Sequence, residues 1–527
     1  MCGIACAIDW ADAEATVRRM VAGILNRGDI TDPVASPRPD TAMCTRRLRI
    51  VDAEHAQQPI LSGDGRVLVS FNGEIYNHAE LRREMTALGV RFHTESDTEV
   101  LASALSLWGA AALPRLNGMF AFVALDLWKG DFLAARDPLG VKPLYVIQSD
   151  AGYLFCSEIK PLLEATETGD VLLIPPGYLL TKKHCLPFKT PFSSPSIEGQ
   201  GSPEKLDRLL AQAVHIRVPD LPFALTFSGG IDSTLVTHYA RQVRPDAPAY
   251  FLGGPSAPDY EFAARYADMT ALDLRTVALP DSVADPTDLI REIVETVETF
   301  EPSVVTGGLC NYLMAKTIHE DGFKVILCGE GADELFAGYL PHEVTFQASA
   351  PLGLNLRAQS LSNMNRDNLQ RLDRCNMRFQ IEAREPFLDP SIIRYALDCD
   401  PTELVKRVDG EPRGKMPLRY LYDLYPTQLP TAIRDRRKTP FGEGAGFEIS
   451  QTESPWRRYA DETISEVDFL LGKLRFADFS IKTKEELLYL TILSEKIDVA
   501  RAPHLRGRTL LRVSYFEGVQ KLQRYFA

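Results

Sequence analysis

Residues 223–243 read FALTFSGGIDSTLVTHYARQV, an apolar run that passes through two glycines directly into a helical stretch. Similar runs recur as APAYFL (247–252) and KVILC (324–328), separated by helical segments such as SVADPTDLIREIVETVETF. Continuous apolar strands spaced by helices predict a parallel sheet covered on both faces, an α/β architecture. In such a sheet ligands bind at the carboxyl ends of the strands, which is where Ser228, Gly229, Gly230, Asp232 and Ser233 fall. The glycines let backbone amides approach an anion, the hydroxyls add donors, and the helix start contributes a favourable dipole. A bare SGG would serve equally as a capped strand-to-helix turn. The full SGGxDS string after a buried strand is more specific, and it lacks the GK[ST] ending of a Walker loop. KVILC likewise ends in a glycine-rich acidic turn, GEGADELFAGY (329–339). Alone, that turn reads as a helix cap with a solvated acidic first turn. Taken together, the two loops place Asp232 and Asp333 at neighbouring strand ends, suited to hold Mg2+ on a triphosphate.

The first part of the chain has a different grammar. Short strands, VLVSFNGEIYN (67–77), MFAFVALDL (119–127), DFLAARD (131–137) and YLFCSE (153–158), alternate with turns. One amphipathic helix, HAELRREMTALG, puts Leu81, Met85 and Leu88 on one face. The stretch LPFKTPFSSPSIEGQGSP (186–203) has neither period and reads as a linker, giving domains at 2–187 and 204–515, the second mainly helical after about 355. No internal repeat is evident. No apolar run is long enough to cross a membrane, and Asp9, Asp12 and Glu14 stand where a signal peptide would be basic and then apolar. A cytoplasmic protein is expected. The net charge of −13, with scattered cations, argues against nucleic acid as a partner. Nine cysteines without CxxC pairs suggest neither a disulfide framework nor a zinc ribbon. By itself Cys2 is either a small buried residue or a nucleophile.

The motifs, taken in order, resemble one family: the glutamine-dependent asparagine synthetases, class II (N-terminal cysteine) glutamine amidotransferases fused to an ATP-pyrophosphatase domain. The resemblance runs through CGI (2–4), RRLRIVD (46–52), FNGEIYN (71–77), SDTE (96–99), GMFAF (118–122) and RDPLGVKPLY (136–145). It continues through SGGIDS (228–233), GEGADELFAGY, EAREPFLD (382–389), RRKTPFGEG (436–444) and KTKEELLYLTI (482–492). It implies an Ntn-hydrolase-type αββα sandwich followed by a doubly wound parallel sheet with a helical C-terminal part. With Met1 trimmed, Cys2 would carry both a thiol and the α-amine, whose pKa of about 8 suits it as the base. The thiolate would attack the glutamine side-chain amide, release ammonia and leave a glutamyl thioester. Asn72 and Gly73 resemble the oxyanion donors, Arg47 the clamp on the glutamine carboxylate, and Glu74 and Asp97 the acceptors of its ammonium.

In the second half, the resemblance implies that an amino-carboxylate substrate attacks the α-phosphate of ATP, forming an acyl-AMP that ammonia then cleaves. Ser228, Gly229, Gly230, Asp232, Ser233 and Gly329 would hold ATP and pyrophosphate, and Asp232 and Asp333 the Mg2+. Glu330 would meet the activated intermediate or the incoming amine, and Lys438 would neutralise phosphate charge. Ammonia would cross between domains, with GMFAFVAL as a passage wall or simply a core strand.

The sequence also departs from the family. The usual RGPD is NRGDI, the usual histidine two before Arg47 is Thr45, and SVVTGGLCNYLMAK has Gly307 and Gly308 where one large group carries an arginine. Two glycines open space rather than supply a cation for aspartate, which leaves the adenylated carboxylate open. An alternative is a β-lactam-synthetase-type ligase, in which an internal amine attacks the adenylate; a non-catalytic scaffold is a third reading. The retained Cys2 favours ammonia transfer. The closing RGRTLLRVSYFEGVQKLQRYFA is amphipathic and suits packing on either domain or in a homodimer.

Overall fold

The computed structural model describes residues 2–189, 201–279, 287–437, 439, 441–446 and 454–506. Lys438, most of the expected linker, the upper limit of the second domain at 515 and the amphipathic end from 507 lie outside the described residues.

Strand β1 (Cys2–Ile8) is buried along its whole length and pairs antiparallel with β2 (Thr41–Arg47) on one side and Gly152–Cys156 on the other. Strands β3 (Val67–Ile75), β4 (Gly118–Asp126) and β5 (Asp131–Arg136) run antiparallel in a second sheet. Side-chain alternation decides how the sheets stack. Ile4, Cys6 and Ile8 face Ala121, Val123 and Leu125 of the second sheet, while Ala5 and Ala7 face Val17 and Met20 of the Ala13–Ala22 helix. On the far side, Phe71 and Phe122 pack under Leu81 and Met85 of the His78–Ala87 helix and Val100 of α1 (Asp97–Trp108). The layers are helix, sheet, sheet, helix, as the resemblance implied. Leu88 differs from expectation: the helix ends before it, and it is 61% exposed.

The remaining sheet is wholly parallel. Its strands are β6 (Ala224–Thr226), β7 (Ala249–Leu252), β8 (Leu274–Val277), β9 (Val325–Leu327) and β10 (Glu382–Arg384), in the order β8-β7-β6-β9-β10. The chain winds outward from β6 in one direction, then returns to wind in the other, so the topological switch lies between β6 and β9. Helices α2 (Ile231–Val243) and α3 (Pro302–Glu320) cover opposite faces: Leu225 packs with Val236, Tyr250 with Met314. The first loop leaves β6 and the second leaves β9, so the fold brings both to the switch point.

Edge strand β10 docks against the antiparallel sandwich through buried charges. Arg384 Nη2 donates to Glu74 Oε2 at 2.8 Å and its Nε to Glu382 Oε1 at 2.7 Å. Arg27 grips Asp373 of α4 (Asn368–Met377) with two bonds of 2.9 and 3.1 Å. Glu298 accepts the backbone N–H groups of Ile159 and Lys160 and pairs with Arg374 at 2.9 Å. Removing one partner of such a buried pair costs about 3–5 kcal/mol, so the two halves are fixed relative to each other. Among the described residues, no helix is long and apolar enough to cross a membrane.

Candidate functional site

Cys2 begins β1 directly opposite Arg47 of β2. Its nitrogen donates to Asn72 Oδ1 at 2.8 Å, which turns the Asn72 amide so that Nδ2 is buried and without a partner among the described residues. A buried amide donor left unpaired costs about 1–3 kcal/mol, a cost that an oxyanion at this point would offset. The next residue, Gly73, has φ of 154°, and a Cβ there would collide with the Met119 carbonyl oxygen. Only glycine fits the strand at that point. Burial pushes the Cys2 thiol up, while the chain's amino-terminal charge, the Leu48 N–H and Arg47 pull it down.

Arg47 is only 6% exposed, and its Nε and Nη2 donate to Asp32 at 2.7 and 3.1 Å while Nη1 donates to the Ala53 carbonyl at 3.1 Å. A guanidinium has five N–H groups, so one remains on each terminal nitrogen, the pair that meets a carboxylate end-on. Asp32 also accepts the Gln58 N–H at 2.9 Å, and Gln58 Oε1 accepts from Phe71 N at 2.8 Å and Thr45 Oγ1 at 3.3 Å. The altered loop therefore uses Asp32 to set Arg47. Asp29 instead turns to Arg49 and to Lys324 of the second half, at 3.2 and 2.8 Å.

Glu74 and Asp97 complete the pocket. Glu74 is not free, since Arg384 holds one of its oxygens; Asp97, in the first turn of α1, accepts the Ile75 N–H at 2.9 Å. Burial, with Asp97 and Glu382 nearby, pushes Glu74 up to about 8 against the pull of Arg384. Burial likewise raises Asp97, against the Ile75 N–H and His78. Two carboxyls raised together form a place that a cation would stabilise.

At the switch point, Gly229 has φ of 63° and a Cβ there would lie 2.8 Å from the Ala263 nitrogen. Gly230 caps α2, and the Ser233 hydroxyl ties the turn together, accepting from Ser228 N at 3.2 Å and donating to the Gly230 carbonyl at 3.3 Å. The second loop touches the first: a Cβ on Gly329 would lie 2.8 Å from that of Asp232. Asp232 and Asp333 do converge, on the Lys415 ammonium, whose Nζ stands 2.5 Å from Asp232 Oδ2 and 2.6 Å from Asp333 Oδ1. Lys415, with φ of 58°, caps α5 (Met416–Leu424). Arg419, Arg436 and Arg437 line the same recess, and Arg436 donates to the Gly229 carbonyl at 3.0 Å. Four basic side chains beside a glycine turn suit a polyphosphate, though Asp232, Asp259 and Glu343 share the lining and Arg436 pairs with Asp259 and Arg437 with Glu411. Among the described residues no cluster of three His, Cys, Asp or Glu is placed to hold a metal on protein ligands alone.

Glu330 lies beside this recess, its Oε1 3.6 Å from Arg371 Nη2. The space left at Gly307 is not empty, because a Cβ there would collide with the Arg371 guanidinium. The cation missing from α3 is thus supplied by α4, which corrects the expectation that the two glycines simply open room. Below it, Tyr339 Oη and Asn368 Nδ2 each donate to Glu334 Oε1 at 2.6 Å. Burial, with Glu330 and Asp333 close by, pushes Glu334 up to about 8.

Sequence reasoning missed Asp32, Lys415 and Arg371. For Asp32 the signal was present, an aspartate three residues past the altered NRGD. Lys415 and Arg371 have no local mark, since each meets its partners across a long stretch of chain.

Comparison with known proteins follows the same division. A glutamine amidotransferase domain model matches residues 1–172, and an asparagine synthase model matches 205–362 and 354–519. Asparagine synthetase [glutamine-hydrolyzing] 2 of Oryza sativa subsp. japonica is 30% identical over 94% of this chain and 85% of its own length. A probable asparagine synthetase [glutamine-hydrolyzing] of Schizosaccharomyces pombe is 30% identical over 87% of this chain and 86% of its own. Among solved structures, the glutamine phosphoribosylpyrophosphate amidotransferase from B. subtilis complexed with ADP and GMP is 15% identical over 62% of this chain and 80% of that one, with a TM-score of 0.32.

Proposed function

Since the chain belongs to the family of glutamine-hydrolysing asparagine synthetases, we propose that it moves the amide nitrogen of glutamine onto adenylated aspartate, releasing glutamate, AMP and pyrophosphate. The observation that carries this reading is the joining, across one buried interface, of an Asn72-anchored cysteine and a cationic strand-end recess. Cys2, freed of Met1, attacks the glutamine amide carbon, its thiol proton passing to its own amine and then to the leaving ammonia, and water then cleaves the resulting thioester, releasing glutamate and returning the thiol. Asn72 Nδ2 and the Gly73 backbone receive the oxyanion. Arg47 takes the glutamine carboxylate on its two remaining N–H groups, and Glu74 and Asp97 take the ammonium.

In the second half, Ser228, Gly229, Gly230, Ser233 and Gly329 cradle ATP. Asp232 and Asp333, whose carboxylates already converge on one cation, would hold a Mg2+ ion beside the bound nucleotide. The ion would supply charge neutralisation for departing pyrophosphate. Arg371 is placed to meet the substrate carboxylate, and Glu330 the incoming ammonia; Lys438 is proposed for the phosphates on its motif alone. The ring-closing alternative is not favoured, because the anchored Cys2 has no use where the amine is internal to the substrate. The same reading gives domains at 2–187 and 204–515, a cytoplasmic location and a homodimer, with no nucleic-acid or membrane partner.

Purified protein with glutamine, aspartate and ATP should form glutamate, AMP and asparagine in near-equal amounts. Turnover of a bulkier amino-carboxylate with none of aspartate overturns the substrate. A second expectation comes from Glu74. The ligand ammonium needs a charged carboxylate, and Glu74 loses its proton only near about 8. The KM for glutamine should therefore fall as pH rises from about 6.5 to 8.5, and Glu74→Gln should flatten that slope. A KM that rises over the same range in the parent protein contradicts the placement of the ammonium.

A further inference from the structure

Helix α6 (Glu466–Arg475) lies in the second half and is capped by Ser465, whose hydroxyl accepts the Asp468 N–H at 3.1 Å. Its inner side rests on α7 (Lys484–Ser494), where a Cβ on Gly472 would lie 2.5 Å from Leu487 Cδ2. Phe469 packs into the core on that side, and Phe476, just past the helix, is buried with it. The outer side is equally apolar. Val467, Leu470, Leu471 and Leu474 recur at i, i+3, i+4 and i+7, the spacing of one helical stripe, and each is between 58% and 74% exposed. A surface helix turns such a stripe to the core and its charges to water, whereas α6 is apolar on two sides and covered on one.

The polar surroundings of this stripe are acidic. Asp461, Glu462, Glu466, Asp468 and Asp478, on the helix or within a few residues of it, are all exposed. Lys473 and Arg475 turn back over the rings of Phe469 and Phe476, while Lys484 pairs with Glu466 at 2.8 Å and Arg457 with Asp461 at 3.8 Å. A partner for the face therefore needs an apolar stripe flanked by cations. Residues 507–527, outside the described residues, have that composition. At helical spacing Leu511, Tyr515, Val519, Leu522 and Phe526 fall on one side, and Arg508, Arg512, Lys521 and Arg524 stand against the single acid Glu517. The other segments outside the description, 190–200, 280–286 and 447–453, contain no lysine or arginine.

We propose that residues 507–527 lie along the outer face of α6, covering its aliphatic stripe from within the same chain. The described residues end at Arg506, and Leu505 before it is 5% exposed, in the same continuous apolar cluster as Phe476, Phe479 and Ile481, which follow α6. From that point residues 507–527 span about 30 Å as a helix and about 70 Å extended, enough to cross the surface of a domain. Contact removes both stripes from water and brings the cations to the acidic rim. A second copy of the chain fits the face less well. A two-fold dimer through α6 would set acidic rim against acidic rim, and the ten residues of this helix are fewer than the roughly 20–30 a side that stable interfaces use.

Hydrogen exchange of the full chain, read by mass spectrometry, tests this. In the parent, the backbone amides of α6 and of residues 507–527 should both be protected. Leu470→Gln with Leu474→Gln keeps good helix formers and breaks the stripe, and it should speed exchange in 507–527 by about tenfold or more. Leu522→Gln with Phe526→Gln should speed exchange in α6 by a similar factor. Each effect is read in the segment that was not altered, so local disruption at the substituted positions does not produce it. Exchange of 507–527 at the rate of an unfolded chain in the parent overturns the proposal, as does a change within about twofold in either reciprocal measurement. Protection of α6 that rises with protein concentration while the molar mass doubles assigns the face to a second copy and overturns it too.

Discussion

Cys2→Ala is expected to lower glutamine-dependent amide synthesis by on the order of a thousandfold or more, while ammonium-dependent synthesis continues. The substitution removes the thiol and keeps the backbone, so the Cys2 nitrogen still holds Asn72 and β1 still pairs with β2. Nothing in the cationic recess depends on the sulfur. Steady-state release of glutamate, measured beside release of AMP with each nitrogen source, separates the two reactions. Loss of AMP formation with ammonium as well would show that the two sites are coupled more tightly than their geometry implies.

The opposite pattern is expected at the other end. Asp333→Asn should cut AMP formation with either nitrogen source by about a hundredfold or more, with glutamine hydrolysis remaining measurable. Asp333 and Asp232 share the Lys415 ammonium, and the same two carboxylates are the proposed seat of Mg2+. Lys415→Ala gives a second reading of that arrangement. It removes the ammonium that the two nearly buried carboxylates share, and removing one partner of a buried charge cluster costs about 3–5 kcal/mol. Its Tm should fall clearly below that of Asp333→Asn, because the latter removes charge from an otherwise crowded point. Equal Tm values for the two variants would show that Lys415 does not bridge the carboxylates.

Much of this was legible in the sequence, for identifiable reasons. FALTF and KVILC announce a buried parallel strand by their continuous apolar character, and the glycines after each mark where backbone must turn sharply. Short-range patterns of that kind place Ser228, Asp232 and Asp333 correctly at strand ends, because a strand-to-helix turn is a local event. They could not show that Lys415 would arrive between the aspartates, since its route to the site depends on how α5 packs. Arg371 is similar: α3 shows only a pair of glycines, and the guanidinium that fills the space belongs to another helix. The altered NRGDI loop misled in a different way. Attention falls on Asp29, next to the lost proline, yet the strand pairing of Asp29 and Ile30 with Arg47 carries the chain on so that Asp32 is the carboxylate that reaches the arginine. Glu74 has the most mixed outcome, since one of its oxygens serves the contact between halves while its position still suits a ligand.

The charges that join the halves constrain how such a chain can be rearranged by recombination. Arg27 with Asp373 and Glu74 with Arg384 are matched locks set on opposite sides of the boundary between the two halves. A hybrid that took its first 187 residues from this chain and the rest from a donor would keep both pairs only where the donor supplies a carboxylate at the position of Asp373 and a guanidinium at that of Arg384. A donor lacking them would leave Arg27 and Glu74 buried without those partners, at a cost of about 3–5 kcal/mol for each pair.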